Sequence, residues 1–167
     1  ISKDAIYYNS LLPHILYELS FKTKFKLLHI STDCVFDGKK GNYSENNVPN
    51  SLDLYGKTKA LGELNLSDAV TIRTSYIGHE IKSAHGLLEW FLSQDKQVFG
   101  FSKAMYNGLT TLELSKIIYE NFLKGKQLSG LYNVSSKPVS KHDLLCIINK
   151  IYKKSFNIKK KNNVLID

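Results

Sequence analysis

Two short stretches of the 167-residue chain carry side chains that could do chemistry. The first is Ser31-Thr32-Asp33, three small polar residues directly after the apolar run Leu27-Leu28-His29-Ile30. Polar groups at the end of a buried strand are costly unless a cleft uses them. The second is Tyr55 and Lys59, four apart in a segment with helical spacing, so both side chains share one helix face. A phenol ionises near pH 10, too high for proton transfer at neutrality. An ammonium beside it favours the phenolate, and bringing ionisation down to near pH 7 takes roughly 4 kcal/mol of differential stabilisation. A pair tuned in this way can deliver a proton to an oxygen while a carbonyl is reduced. The spacing by itself is weak. Among 23 basic residues only Arg73 is an arginine, leaving 22 lysines, and with ten tyrosines a Tyr-x-x-x-Lys arises about once by chance. It occurs once.

Positioning these groups requires a strand that ends at Ser31 and a helix that starts near Tyr55. The spacing of apolar residues predicts a helix over 7–20, with Pro13 as a kink or local break, and a strand over 25–30. Residues 38–54 are rich in Gly and Asn and read as a long loop. A helix over 55–66 and a second strand over 70–77 follow. Beyond them come a short helix over 86–93 and a strand over 97–101. An amphipathic helix over 110–123 is opened by Thr110, with Glu113 at capping-box spacing. A strand over 131–134 precedes a helix over 140–153, with Ser140 as N-cap and Asp143 at the third helical position. Alternating strands and helices point to an α/β fold with a mostly parallel sheet.

Composition narrows the function classes. The chain is long enough for one domain with a real core, and 43% hydrophobic with 23% charged residues is ordinary for a globular protein. No apolar run approaches the roughly 18 residues needed to cross a bilayer and no signal-peptide pattern is present, so no membrane partner is expected. Cys34 and Cys146 lack disulfide or metal-ligand spacing, so no metal site is expected and a cytoplasmic, reducing location is the default. The net charge of +8 is spread along a lysine-rich chain, with Lys153-Lys154 and Lys159-Lys160-Lys161 the one dense cluster, read as a solvated tail. Without interleaved aromatics this run predicts no nucleic-acid partner. Cys34 reads as a small packing residue, and Trp90 and Phe91 as packing on their short helix.

Context gives the Tyr-Lys pair its meaning. The series STDCVFDGKKGNYSENNVPNSLDLYGKTKALGE at 31–63 resembles the extended short-chain dehydrogenase/reductase superfamily. More narrowly it resembles the dTDP-4-dehydrorhamnose reductase (sugar nucleotide-binding) branch, with its STD, VFDG, Y-E, P and YGxxKxxGE order. IRTSYIG at 72–78, GLTTLELSKII at 108–118 and GLYNVSS at 130–136 are similar to later segments of that branch. The resemblance runs over about residues 5–155.

The resemblance implies the C-terminal part of a Rossmann-type doubly wound parallel sheet with a small substrate-binding lobe. Residues 1–80 would form the second half of an NAD(P)-binding domain with the catalytic triad. Residues 81–167 would be mainly the substrate lobe, with 110–135 returning to the Rossmann sheet. The implied activity is NAD(P)H-dependent reduction of a 4-keto nucleotide sugar in surface polysaccharide biosynthesis. Thr32 would hydrogen-bond the reacting oxygen, Tyr55 would be the proton donor, and Lys59 would lower its pKa and hold the nicotinamide ribose. Asp33 would neighbour the reacting sugar, Ser75 would lie by the nicotinamide, and Asn9 would serve the cofactor side. Cys34 stands where the branch usually has Tyr and Tyr76 where it often has Trp, both at substrate-facing positions. The sugar, the nucleotide, and NADP versus NAD stay open, as does the oligomeric state, a homodimer among the options. An epimerase or dehydratase of the same superfamily is an alternative. So is a non-catalytic regulatory subunit on this fold, like the beta subunit of methionine adenosyltransferase.

The superfamily also opens with a strand and a glycine-rich turn whose N–H groups hold the cofactor pyrophosphate. GKKG at 38–41 does not enter a helix and is no substitute. The chain opens on Ile1 rather than Met. The expectation is a piece of a longer enzyme that does not reduce a sugar by itself.

Overall fold

Pro13 shapes the first element. It has no N–H to give to the carbonyl of Asn9, four residues back. The computed structural model, which describes residues 2–124 and 128–162, accommodates this with a local break in the α-helical pattern, wider turns just before the proline. Helix α1 (Ser2–Ala5) runs into π-helical turns at Ile6–Leu11 and then into α2 (Leu12–Thr23). The Leu12 N–H reaches five residues back to Tyr7 O. The remaining elements are β1 (Leu27–Ser31), a 3₁₀ turn (Asp33–Val35), α3 (Leu54–Leu61), β2 (Ala69–Arg73), β3 (Tyr76–Ile77) and α4 (Leu87–Leu92). Then follow β4 (Gln97–Phe101), β5 (Met105–Tyr106), β6 (Leu109–Thr110), α5 (Thr111–Ile117) with π-helical turns at Ile118–Leu123, β7 (Gly130–Asn133), β8 (Val139–Ser140), α6 (Lys141–Ile151) and β9 (Asn157–Lys161).

The chain divides into two compact units, 1–75 with 115–134 and 76–114 with 135–167. The first is built on a parallel sheet of order β1-β2-β7, with Ser31 opposite Arg73 and Arg73 opposite Asn133. All five residues of β2 are buried, as expected of a central strand with parallel neighbours on both sides. Buried Thr71 is tolerated there because its hydroxyl donates to Leu64 O (2.9 Å) and accepts from the Leu64 N–H (3.0 Å).

The described residues of the second unit form three strand pairs: β3 with β6 and β4 with β9, both parallel, and β5 with β8, antiparallel. Its core gathers Leu88 and Phe91 from α4, Val98 from β4, and Leu145 and Ile148 from α6. The rings of Phe91 and Phe156 meet edge to face at 5.3 Å. Ser140 caps α6, its hydroxyl accepting the Asp143 N–H at 3.0 Å.

Several elements differ from the sequence expectation. The strand anticipated over 70–77 is two strands. β2 ends at Arg73, and β3 pairs in a different sheet of the second unit, because the chain leaves the first sheet at Thr74. The helix anticipated over 55–66 stops at Leu61, where Gly62 forms its C-terminal cap. The helix anticipated over 110–123 becomes α5 plus π-helical turns, although the Thr110 hydroxyl does accept the Glu113 N–H at 3.2 Å. Lys159–Lys161 are not a solvated tail. They complete β9, whose Ile158 packs on the core while the lysines are exposed, a composition suited to a strand at a sheet edge. Phe91 is fully buried as expected, whereas Trp90 is 40% exposed.

Candidate active site

The place where β1 stops determines the position of Thr32. Its backbone stays extended, and its side chain caps the 3₁₀ turn by accepting the Cys34 N–H at 3.2 Å. The Thr32 hydroxyl in turn donates to Asp33 Oδ1 at 3.3 Å. Ser75, just beyond the end of β2, donates to the same oxygen at 2.7 Å. Thr32, Asp33, Cys34 and Ser75 therefore form one cluster around a carboxylate. Burial pushes the Cys34 thiol above its usual range, with the Asp33 charge adding to the effect against a bond from Thr32. A thiol held in its protonated form is a poor nucleophile, consistent with packing.

Helix α3 brings the Tyr-Lys pair. Asp53 is its N-cap, accepting the Gly56 N–H at 2.8 Å, and that bond holds the Asp53 carboxyl below its ordinary value. The first turn lies flush on the strand end: a Cβ at Gly56 would collide with Cys34 O and the Ser51 side chain. Tyr55 sits on this turn, 51% exposed. One turn on, Lys59 Nζ donates to Ile30 O at 2.6 Å. Burial lowers the Lys59 pKa, and the Glu63 carboxylate opposes that shift.

An adjoining face of α3, at Thr58 and Gly62, rests on the π-helical turns. A Cβ at Gly62 would collide with Asn9 O, the carbonyl that Pro13 cannot serve. Asn9 Nδ2 donates to Thr58 Oγ1 at 3.1 Å, and Ser10 Oγ to Thr58 O at 2.8 Å. Asn9 thus grips the helix beside Lys59. Tyr76 is on β3 in the second unit, 60% exposed.

Three residues without an assigned role in the sequence reading stand out. Glu63 and Arg73 form a bidentate ion pair with side chains 7% and 4% exposed. The signal for Arg73 was its being the single arginine of a lysine-rich chain. His29, on β1, has a buried Nε2 with no partner among the described residues, and its pKa is lowered to about 4 by burial, then by the charges of Lys59 and His14. No pattern in the sequence marked it.

Residues 2–155 match the family described as the RmlD substrate binding domain. The chain belongs to that family. Within it, the chain is 31% identical over 144 residues to a dTDP-4-dehydrorhamnose reductase of Aggregatibacter actinomycetemcomitans, covering 80% of this chain and 49% of the relative. It is 29% identical over 135 residues to the methionine adenosyltransferase 2 subunit beta of Danio rerio, covering 73% and 42%. The chain thus spans about half the length of the curated relatives it matches. A hypothetical dTDP-4-dehydrorhamnose reductase from Sulfolobus tokodaii superposes with a TM-score of 0.80 at 27% identity, over 98% of this chain and 59% of that one. The α/β fold with parallel sheets is the Rossmann-like fold of those reductases.

The site of this RmlD-family chain offers donors that could hold the hydroxyl oxygens of a ligand. An ammonium has three donors, and Ile30 O engages one of those of Lys59. The exposed phenol of Tyr55 lies one helical turn away. Among the described residues no three His, Cys, Asp or Glu side chains are grouped to hold a metal, and no helix is long and apolar enough to cross a membrane.

Proposed function

We propose that the full-length protein containing this chain is an NAD(P)H-dependent reductase of a 4-keto nucleotide sugar, working in surface polysaccharide biosynthesis. The observation that carries this reading is the reach of Lys59. Its ammonium is bonded to Ile30 O, two residues before Thr32, so the helix bearing the Tyr-x-x-x-Lys pair is docked on the strand end bearing the hydroxyl. The match to a dTDP-4-dehydrorhamnose reductase supports the substrate class.

The nicotinamide, when bound, supplies hydride. Tyr55 gives its proton to the oxygen that becomes the new hydroxyl, and the Thr32 hydroxyl hydrogen-bonds that oxygen. Lys59 stabilises the resulting phenolate and turns its remaining donors to the ribose hydroxyls. Ser75 borders the nicotinamide and keeps Asp33 in place, while Asp33 and Cys34 face the sugar; Tyr76, on β3 of the second unit, is a separate candidate for contact with the sugar. Asn9 serves the cofactor side through its hold on α3. The first unit belongs to the NAD(P)-binding half and the second to the substrate lobe.

The test is NADPH oxidation by the full-length protein across a panel of dTDP- and UDP-4-keto sugars. Tyr55→Phe is expected to lower turnover about 10³-fold, in the range of lost acid catalysis. Unchanged turnover rejects the mechanism. The 167 residues alone are expected to show none, since they supply no glycine-rich pyrophosphate turn.

A second reading is a regulatory subunit on the same fold, favoured by the nearly equal match to the methionine adenosyltransferase subunit beta. It predicts no turnover on any keto sugar and a measurable complex with a methionine adenosyltransferase catalytic subunit.

A further inference from the structure

We propose that Ser31, Glu63 and Arg73 form a positioning network that sets the Thr32 strand end and the Tyr55–Lys59 helix in catalytic register. This rests on the reductase reading above. Arg73 Nε and Nη2 donate to Glu63 Oε1 (2.8 Å) and Oε2 (2.6 Å), and the Ser31 hydroxyl donates to Glu63 Oε1 at 2.7 Å. Three elements meet in this cluster. Ser31 is the last residue of β1, directly before Thr32. Glu63 follows α3 directly after its Gly62 cap. Arg73 is the last residue of β2, two before the Ser75 that holds Asp33.

Stability does not account for the network. A buried ion pair commonly contributes no more than a well-packed apolar pair of the same volume. Here one donor, Arg73 Nη1, is buried with no hydrogen-bond partner among the described residues, which adds a desolvation cost. An apolar pair would fill the space but could not set direction. A bidentate guanidinium–carboxylate fork fixes both distance and angle between the elements it joins. The guanidinium also stands 4.9 Å from the centre of the Phe36 ring, which stacks on Tyr43 at 4.2 Å with planes 3° apart. The fork therefore bears on the segment leaving the 3₁₀ turn as well as on the strand end before it. Catalysis is sensitive to errors of this kind, since a misplacement of about 1 Å can lower a rate about 100-fold.

The decisive variant in the full-length enzyme is Ser31→Ala, which cuts the link to β1 and leaves the ion pair intact. A roughly tenfold loss of kcat is expected at temperatures where the variant is fully folded, with KM for the keto sugar within about twofold. Ser31→Thr, which restores a hydroxyl, is expected to recover kcat. Wild-type kcat in Ser31→Ala overturns the proposal. The double variant Glu63→Met/Arg73→Met removes both charges together, and if it folds with wild-type kcat the proposal also fails. If it does not fold, Ser31→Ala decides.

Should the wild-type enzyme turn over no keto sugar, the reductase reading fails on its own. The network is then read from hydrogen exchange at the Cys34 amide, whose N–H bonds Thr32 Oγ1. Faster exchange in Ser31→Ala supports positioning of Thr32, and unchanged exchange overturns it.

Discussion

His29 shows how one buried side chain ties the stability of the site to pH. Its ring is mostly buried, near Lys59 and His14, and has a buried nitrogen without a partner among the described residues, so protonation is disfavoured in the folded state. The folded pKa of about 4 lies below the ordinary value of 6.5. Between those values the unfolded chain binds a proton that the folded chain refuses. Stability is therefore fully present above pH 6.5 and is lost as the pH falls toward 4. A shift of this size would correspond to roughly 3 kcal/mol, cut to about 1–2 kcal/mol by the residue's partial exposure. Urea unfolding of the wild type at pH 7 and pH 4.5 should show this loss, and His29→Leu should flatten it. An equal loss in the variant would place the titrating group elsewhere.

At the scale of elements, α3 is held by close backbone approaches as well as by the side-chain bonds of Lys59, Asn9 and Ser10. Gly62 lies against Asn9 O, and that carbonyl cannot retreat into an α-helical bond because Pro13 offers no donor. Gly62→Ala should overpack the junction and cost about 1–3 kcal/mol, read as a lower urea midpoint at unchanged slope. Gly38→Ala is the control. It sits at φ +70 with nothing within 4 Å of the added methyl, so only the left-handed backbone is penalised, at about 1 kcal/mol. If Gly62→Ala cost no more than the control, the close approach would not constrain the helix.

These junctions also show what was legible in advance. The caps Ser140 and Thr110 could be read because each depends on local chemistry within a few residues. The break between β2 and β3 could not, since Arg73-Thr74-Ser75-Tyr76 holds no glycine or proline to mark it and pairing with distant strands separates the two. β9 was hidden for a similar reason. NIKKK has one apolar residue, and it becomes a strand through its ladder with 97–101 and the burial of Ile158. In the site, Thr32, Asp33 and Ser75 were named in the sequence and converge on one carboxylate. The Glu63–Arg73 pair was invisible because a buried fork looks like two surface charges until the fold brings them together.

For the molecule as a whole, the sheet of the first unit leaves β1 at an edge among the described residues, with its ladder groups paired on one side by β2. Open edges with apolar residues such as Leu28 and Ile30 invite pairing with other chains. The 167-residue chain should therefore associate with rising concentration in sedimentation velocity, and Leu28→Lys should weaken that association. A monomer at all concentrations would show that the edge is already protected.

The order of strands in the first unit bears on how the protein is made. β2 pairs with β1 and also with β7, and β7 begins at Gly130, long after β2 ends at Arg73. A ribosome adding about 5–20 residues per second needs roughly 3–11 s to cover that interval. During it, one side of the most buried strand waits without its partner while the first stretch of the second unit, 76–114, emerges. Each unit is finished only after part of the other has been synthesised. Pauses in translation within that interval should thus govern the yield of native protein more than pauses elsewhere, since they lengthen the time β2 is open to chaperones or to aggregation.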